Sequence, residues 1–103
     1  MLSDEILQPL KAKYDSIYVR EAAGETVVLR CPNRPEWKAF QLKLADAKKH
    51  VEAVEWILRQ CVVYPSAEEV DAMFNRRPGL VATFGAELSE ITGAAASVEK
   101  KDL

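Results

Sequence analysis

The longest uninterrupted helical pattern in the chain covers residues 36–64, where neither glycine nor proline occurs. Apolar side chains recur there at alternating spacings of three and four, which places them along one face of a helix. The members of this seam are Trp37, Phe40, Leu44, Ala47, Val51, Val54, Leu58 and Cys61. The pattern predicts a helix over residues 35–63, about 43 Å long at ~1.5 Å per residue. That length is large for a 103-residue chain, so we expect a kink or a break between residues 46 and 50.

Both ends of the predicted helix carry residues with strong local preferences. Pro35 suits the first helical turn, where its missing N–H has no helical partner, and Glu36 favours the positive end of the helix dipole. Pro65 ends the helical pattern. Ser66 and Glu69 form the sequence of a capping box, in which the serine hydroxyl satisfies a backbone N–H and the glutamate reaches back to the serine N–H. A new helix is therefore predicted to begin at Ser66.

Two shorter helices are predicted in the C-terminal part of the chain. The apolar side of the first is formed by Val70, Met73 and Phe74. The second has apolar residues at three-and-four spacing from Leu80 to Ile91 and ends at Gly93, since glycine readily takes the left-handed conformation of a helix cap. Residues 94–103 contain few apolar side chains, and we expect them to form a flexible polar tail. Residues 1–93 are accordingly predicted to form a single small domain.

The N-terminal part of the chain has the pattern of a β-hairpin. A short helix capped by Ser3 is predicted first. Ile17 and Val19 then alternate with polar neighbours, β-branched residues are frequent on both sides of Gly24, and the glycine marks a turn. An isolated hairpin is marginal in water, so we expect its face to pack on the long helix or on a third strand from another chain. The predicted fold class is α+β, with an N-terminal β-hairpin followed by a mainly α-helical domain.

Composition and charge argue against several classes of partner. The chain has 14 basic and 16 acidic side chains and a net charge of −2. Nucleic acids and anionic membranes are bound through clustered positive charge, so neither is predicted as a partner. No stretch approaches the ~20 apolar residues of a membrane span. Residues 1–5 lack the basic and apolar regions of a signal peptide, and a cytoplasmic protein is expected.

No constellation of residues for catalysis, cofactor binding or metal binding is found. His50 is the only histidine, and no motif supplies it with an orienting partner or a nucleophile. One histidine and two distant cysteines, Cys31 and Cys61, lack the paired ligand spacing of zinc sites. We interpret both cysteines as buried free thiols and predict that the protein is not an enzyme.

The charged residues of the long helix are interpreted as a solvated outer face. Lys48 and Glu52 lie four residues apart, as do Glu55 and Arg59, and oppositely charged residues at this spacing pair on a helix surface. Both pairs are therefore predicted to form ion pairs.

The predicted long helix carries more aromatic residues than one seam can bury. Trp37 belongs to the seam, but Trp56 does not. Trp56 lies two residues from both Val54 and Leu58, so its side chain points to a different face of the helix from theirs. Two interpretations stay open for this surplus. One is a core wrapped around a kinked helix, and the other is an exposed groove or a dimer surface that binds a partner.

Four short motifs follow one another along the chain. They are Arg-Pro-Glu-Trp-Lys-Ala-Phe at 34–40, Gln-Cys-Val-Val-Tyr-Pro-Ser at 60–66, Arg-Pro-Gly-Leu at 77–80 and Ile-Thr-Gly at 91–93. Through these motifs and their order, residues 14–93 of the chain resemble the tail assembly chaperones of long-tailed, siphovirus-like bacteriophages. In that family the first motif opens a long helix, the second ends it and the third introduces the final helix.

The resemblance implies a non-enzymatic factor that acts in the cytoplasm of the infected host and is absent from the mature virion. Such a protein binds the tape-measure protein, keeps it soluble and helps to recruit tail-tube protein subunits. A homo-oligomer and a longer, frameshifted form are left open. The predicted partner-binding residues are Trp37, Phe40, Leu44, Trp56 and Tyr64.

Two other functions remain as alternatives. A small structural neck or tail-completion subunit of a phage would be retained in finished particles, whereas a chaperone would be absent from them. A transcriptional regulator that dimerises through the long helix would need a basic recognition helix. Residues 80–93 contain no lysine or arginine, which disfavours that alternative.

Overall fold

The structure is a computed structural model that describes residues 2–102. Residues 1 and 103, assigned by prediction to the domain and the tail, lie outside the described residues. The helices are α1 (Asp4–Lys13), α2 (Arg34–Leu44), α3 (His50–Cys61), α4 (Ala67–Arg76) and α5 (Leu80–Ile91), and the strands are β1 (Ile17–Ala22), β2 (Glu25–Arg30) and β3 (Val62–Tyr64). The strands form one antiparallel sheet in the order β1-β2-β3. The predicted α+β class is confirmed, and the hairpin follows α1.

The hairpin forms as its sequence predicts. β1 and β2 pair antiparallel from Ile17 opposite Arg30 to Ala22 opposite Glu25. The two residues of the turn both have positive φ, 52° at Ala23 and 77° at Gly24. Positive φ at both central positions is the requirement of a type I′ turn, whose twist matches that of the flanking strands.

The third strand comes from the same chain, which corrects two predictions. Val62 pairs with Leu29 and Tyr64 with Val28, so the helix ends before residue 63 and the hairpin needs no strand from another chain. The β-branched pair 62–63 favours extended backbone, and Pro65 restricts the residue before it to the same region. This pairing makes β2 the central strand, where Val27, Val28 and Leu29 are all 0% exposed.

The predicted long helix is divided at the expected place. α2 ends at Leu44, a 3₁₀ turn covers Ala47–Lys49, and α3 begins at His50. The Asp46 side chain accepts a hydrogen bond of 3.0 Å from the Lys48 N–H, and the Nε2 of His50 lies 2.8 Å from the Leu44 carbonyl oxygen. These contacts stabilise the bend between α2 and α3.

The break also changes which face of α3 is buried. The continuous seam is wrong at Val51, which is 77% exposed, because the 3₁₀ turn rotates α3 relative to the seam of α2. The core lies between the sheet and the helices, and the predicted apolar sides of α4 and α5 contribute to it. Its buried residues are Val27, Leu29, Phe40, Ala53, Ile57, Leu58, Cys61, Val70, Met73, Phe74, Leu80, Phe84 and Leu88.

The helix ends combine predicted and unpredicted contacts. α2 begins with a complete capping box, since Asn33 Oδ1 accepts from the Glu36 N–H at 2.8 Å and the Asn33 N–H donates to Glu36 Oε1 at 2.9 Å. At α4, Ser66 Oγ accepts from the Glu69 N–H at 3.3 Å. The Glu69 carboxylate accepts from the Ser66 hydroxyl, whereas the capping-box pattern predicts that it accepts from the Ser66 backbone N–H. Gly93 has φ 86°, as expected for a left-handed cap.

The predicted domain boundary at residue 93 stays a prediction. Residues 93–102 are exposed and lie outside the helices and strands.

Gly85 allows α5 to approach α3 closely. A Cβ atom added at Gly85 would lie 2.5 Å from Val54 Cγ1, well inside van der Waals contact. We expect Gly85→Ala to lower the free energy of unfolding by about 1 kcal/mol, because overpacking costs ~1–3 kcal/mol and the better helix propensity of alanine returns ~1 kcal/mol. Urea denaturation measures the change. Gly79→Ala is the control, since nothing lies within 4 Å of its added Cβ. If Gly85→Ala is equally destabilising in a Val54→Ala background, the proposed clash is wrong.

Candidate partner-binding surface

An open groove runs along the first two turns of α2. It has a volume of about 790 Å³ and is lined by Arg34, Pro35, Trp37, Lys38 and Gln41, which together we call the α2 groove. The Asn33 capping box fixes where α2 begins, and Pro35 lies in its first turn. Arg34, Lys38 and Gln41 are exposed, and Trp37 is half-buried. The α2 groove therefore presents an aromatic surface beside two cationic side chains.

Trp37 is held in the α2 groove by packing from beneath. Its ring centroid lies 4.9 Å from that of Phe40, with the planes inclined at 48°. Tilted aromatic pairs of this kind are attractive beyond the area that they bury. Phe40 is only 9% exposed, so the core fixes the position of Trp37 while leaving part of the indole accessible.

Glu36, the carboxylate between Pro35 and Trp37 in the sequence, is already paired with a cation. The Arg30 guanidinium donates to both Glu36 oxygens, at 2.8 and 2.7 Å, and to the Gln60 carbonyl oxygen at 2.8 Å. Hydrogen bonding to Arg30 lowers the pKa of Glu36, and the same bond raises the pKa of Arg30. Glu36 is therefore ionised and paired, and it does not compensate the charges of Arg34 and Lys38.

A second aromatic side chain lies on the other flank of α2. Trp56 lines a notch of about 260 Å³ together with Lys43, Lys49, Glu52 and Ala53. The Nζ of Lys43 lies 5.0 Å from the centroid of the Trp56 ring, within the range of a cation–π contact. Lys43 is six residues after Trp37, about 120° around the helix. The notch and the α2 groove are thus different surfaces.

The five predicted partner-binding residues do not share one surface. Trp37, Leu44 and Trp56 are half-buried and pack against the core. Phe40 belongs to the core, and its ring has little surface to offer a partner. Tyr64 lines a separate depression with Gly24 of the hairpin turn and Met73 of α4. The prediction that these residues bind a partner stays a prediction. Of the five, only Trp37 lines the α2 groove.

Sequence reasoning missed one apolar cleft and the cationic rim of the α2 groove. The cleft lies between α3 and α5, has a volume of about 230 Å³, and is lined by His50, Val51, Val54, Pro78, Val81 and Ala82. The seam pattern places Val51 on the buried face, although the break expected between residues 46 and 50 is a signal that the buried face shifts there. Arg34 and Lys38 are four residues apart, and this spacing was a signal that they share a face.

The two cysteines differ in their exposure to solvent. Cys61 is buried, which raises the pKa of its thiol to about 12, so it is protonated at neutral pH. Cys31 is exposed, which corrects the prediction that both thiols are buried, because it follows β2 at the surface. Within residues 2–102, no group of three or more His, Cys, Asp and Glu side chains is placed to hold a metal ion.

One of the two predicted ion pairs on the long helix is present. Arg59 Nε lies 3.1 Å from Glu55 Oε2, as expected. Lys48 and Glu52 form no ion pair in the described part of the chain, since Lys48 lies in the 3₁₀ turn and the two residues do not share one α-helical face. None of the helices described over residues 2–102 has the length and apolar character needed to cross a membrane.

The chain matches no protein-family model and no curated protein. Among solved structures, it is similar to an uncharacterised protein from Bacillus stearothermophilus, with a TM-score of 0.76 and 27% sequence identity. The match covers 92% of this chain and 99% of that one. The likeness therefore extends over nearly the whole fold, but it carries no functional name.

Proposed function

We propose that the protein is a phage tail assembly chaperone that binds the tape-measure protein, keeps it soluble and helps to recruit tail-tube subunits. It would act in the cytoplasm of the infected host and be absent from the mature virion. The observation that supports this proposal is the α2 groove, with half-buried Trp37 beneath an open surface. An amphipathic helix binds to such a groove through apolar residues at spacings of three and four.

The size of the α2 groove matches a chaperone that acts in many copies. The groove spans residues 34–41, about two helical turns or ~10 Å at ~1.5 Å per residue. One copy therefore shields only a short part of a long helical client. Many weak contacts along one chain give high overall avidity without any single strong site. Exposed Leu42, at 68%, extends the apolar surface on the outer side of α2.

Co-expression with the tape-measure protein of the same phage tests the proposal. We expect a soluble complex that contains many copies of this protein for each client. Trp37→Asp and Leu42→Asp are expected to leave most of the client insoluble, because a buried carboxylate opposes contact with an apolar helix. Leu42→Asp is the cleaner variant, since Leu42 is largely exposed and its replacement leaves the core intact.

Val98→Asp is the matched control for these variants. Val98 is 79% exposed and lies far along the chain from α2, so the same change of residue type should leave client solubility unaltered. A client that is insoluble with the unmodified protein, or equally soluble in its absence, would contradict the proposal. Recovery of this protein in finished particles would support a structural neck or tail-completion subunit instead.

A further inference from the structure

We infer that the client segment bound in the α2 groove is an acidic amphipathic helix, with carboxylates on the flank of its apolar stripe. The inference rests on the proposed chaperone function and names the chemistry of the segment that the same groove would take. It follows from the charges around the groove and from their spacing.

The rim of the α2 groove carries unpaired positive charge. The groove is lined by Arg34 and Lys38 and by no carboxylate. Four of the six arginines pair with carboxylates of the chain itself, and these are Arg20, Arg30, Arg59 and Arg76. Within residues 2–102, Arg34 and Lys38 take part in no ion pair. The protein as a whole has a net charge of −2, so this local excess is opposite in sign to the overall charge.

The spacing of the two cations fits a helical partner. Arg34 and Lys38 are four residues apart on α2, about 6 Å along the axis at ~1.5 Å per residue. Two carboxylates four residues apart on a client helix have the same spacing, so both pairs form when the two helices lie side by side. The planar guanidinium of Arg34 additionally favours bidentate contact with a carboxylate. Trp37 then faces the apolar stripe of the client, beside the flank that carries the carboxylates.

The α3–α5 cleft does not provide comparable information about a partner. Its lining is apolar except for His50, and no charged pair on its walls selects one kind of ligand. The α2 groove differs because its cationic rim discriminates between acidic and basic segments. Exposed ion pairs contribute modestly and are screened by salt, so binding to one groove should be weak and sensitive to ionic strength.

Two synthetic peptides test the inference directly. Both are about 18 residues long, so that they can form a helix, and both have the same leucine stripe, flanked in one by glutamate and in the other by lysine. The full-length Trp56→Phe variant is used, because Trp37 then supplies all of its tryptophan fluorescence. We expect the glutamate peptide to bind on the order of tenfold more tightly at low salt. Raising the ionic strength should reduce this difference.

Reversal of the groove charges should reverse the preference. In the same background, the double variant R34E/K38E is expected to bind the lysine peptide more tightly than the glutamate peptide. The variant K100E/K101E changes the net charge by the same amount in the exposed residues 93–102 and should keep the original preference. Circular dichroism checks the fold, and R34Q/K38Q, which should abolish the preference, replaces the charge reversal if the reversal unfolds α2.

Other outcomes overturn the inference without deciding the proposed function. Equal affinity for both peptides, or binding of neither, would show that the groove does not select an acidic helix. Self-association that R34E/K38E abolishes would assign the groove to a contact between copies of this chain. In each case the co-expression experiment separately reports whether the tape-measure protein is held in solution.

Discussion

Replacing Phe84 by alanine is expected to lower the free energy of unfolding by about 3–5 kcal/mol. Phe84 is 1% exposed and lies on α5, facing the core that α3 and the sheet also form. Removal of the ring forfeits its transfer free energy and leaves a cavity that rigid neighbours fill only partly. A domain of this size has a total stability of about 5–15 kcal/mol, so the variant should lose a large part of it.

Urea denaturation followed by circular dichroism measures this loss. The slope of the transition should stay near that of the unmodified protein, since the surface exposed on unfolding changes little. Leu42→Ala is the matched control, because Leu42 is 68% exposed and its truncation should change the stability by less than about 0.5 kcal/mol. A loss at Phe84 as small as that of the control would contradict the packing of α5 against the core.

Glu36→Ala is expected to lower the free energy of unfolding by about 2 kcal/mol, because it removes two kinds of contact at once. The Glu36 carboxylate closes the capping box with Asn33 and accepts two hydrogen bonds from Arg30. The Arg30 and Glu36 side chains are 22% and 18% exposed, so the guanidinium left behind is only partly hydrated. Chemical denaturation near neutral pH measures the effect, and Glu90→Ala, at an exposed position of α5, is the control.

The same carboxylate gives the stability a dependence on pH. Hydrogen bonding to Arg30 lowers the pKa of Glu36 from its ordinary value of 4.5. A depressed native pKa means that the unfolded state binds protons first, so this contribution is complete above about pH 4.5. It is lost as the pH falls through the lower native pKa. We therefore expect Glu36→Gln to flatten the decline in stability below pH 4.5, and an unchanged decline would contradict the role of this pair.

Much of the local structure could be predicted from neighbouring residues. The hairpin turn at Ala23-Gly24, the first turn of α2 at Pro35, the cap at Ser66 and the left-handed cap at Gly93 all depend on backbone preferences within a few positions. The break between α2 and α3 could also be expected, since an unbroken helix would have been too long for the domain. Such features need no information about distant parts of the chain.

The candidate surface was predicted less completely. Trp37 is one of the predicted partner-binding residues, and it lines the α2 groove. The seam pattern does not distinguish Phe40 from Trp37. In the structure Phe40 is buried in the core, whereas Trp37 is only half-buried. Arg34 and Lys38 line the groove, while Glu36, which lies between them in the sequence, pairs with Arg30. That pairing depends on β2, which carries Arg30, and no local pattern indicates it.

By itself, the sequence determined the hairpin turn, the first turns of α2 and α4 and the cap at Gly93, because capping and turn preferences act over only a few residues. Only the tertiary structure decided that Val62–Tyr64 would complete the sheet, that Val51 would be exposed, and that Gly85 would let α5 approach Val54. These outcomes depend on free energies of pairing and burial between residues distant along the chain. A segment with β-branched residues at a helix end can continue the helix or join a strand, and here the open edge of β2 settles the choice.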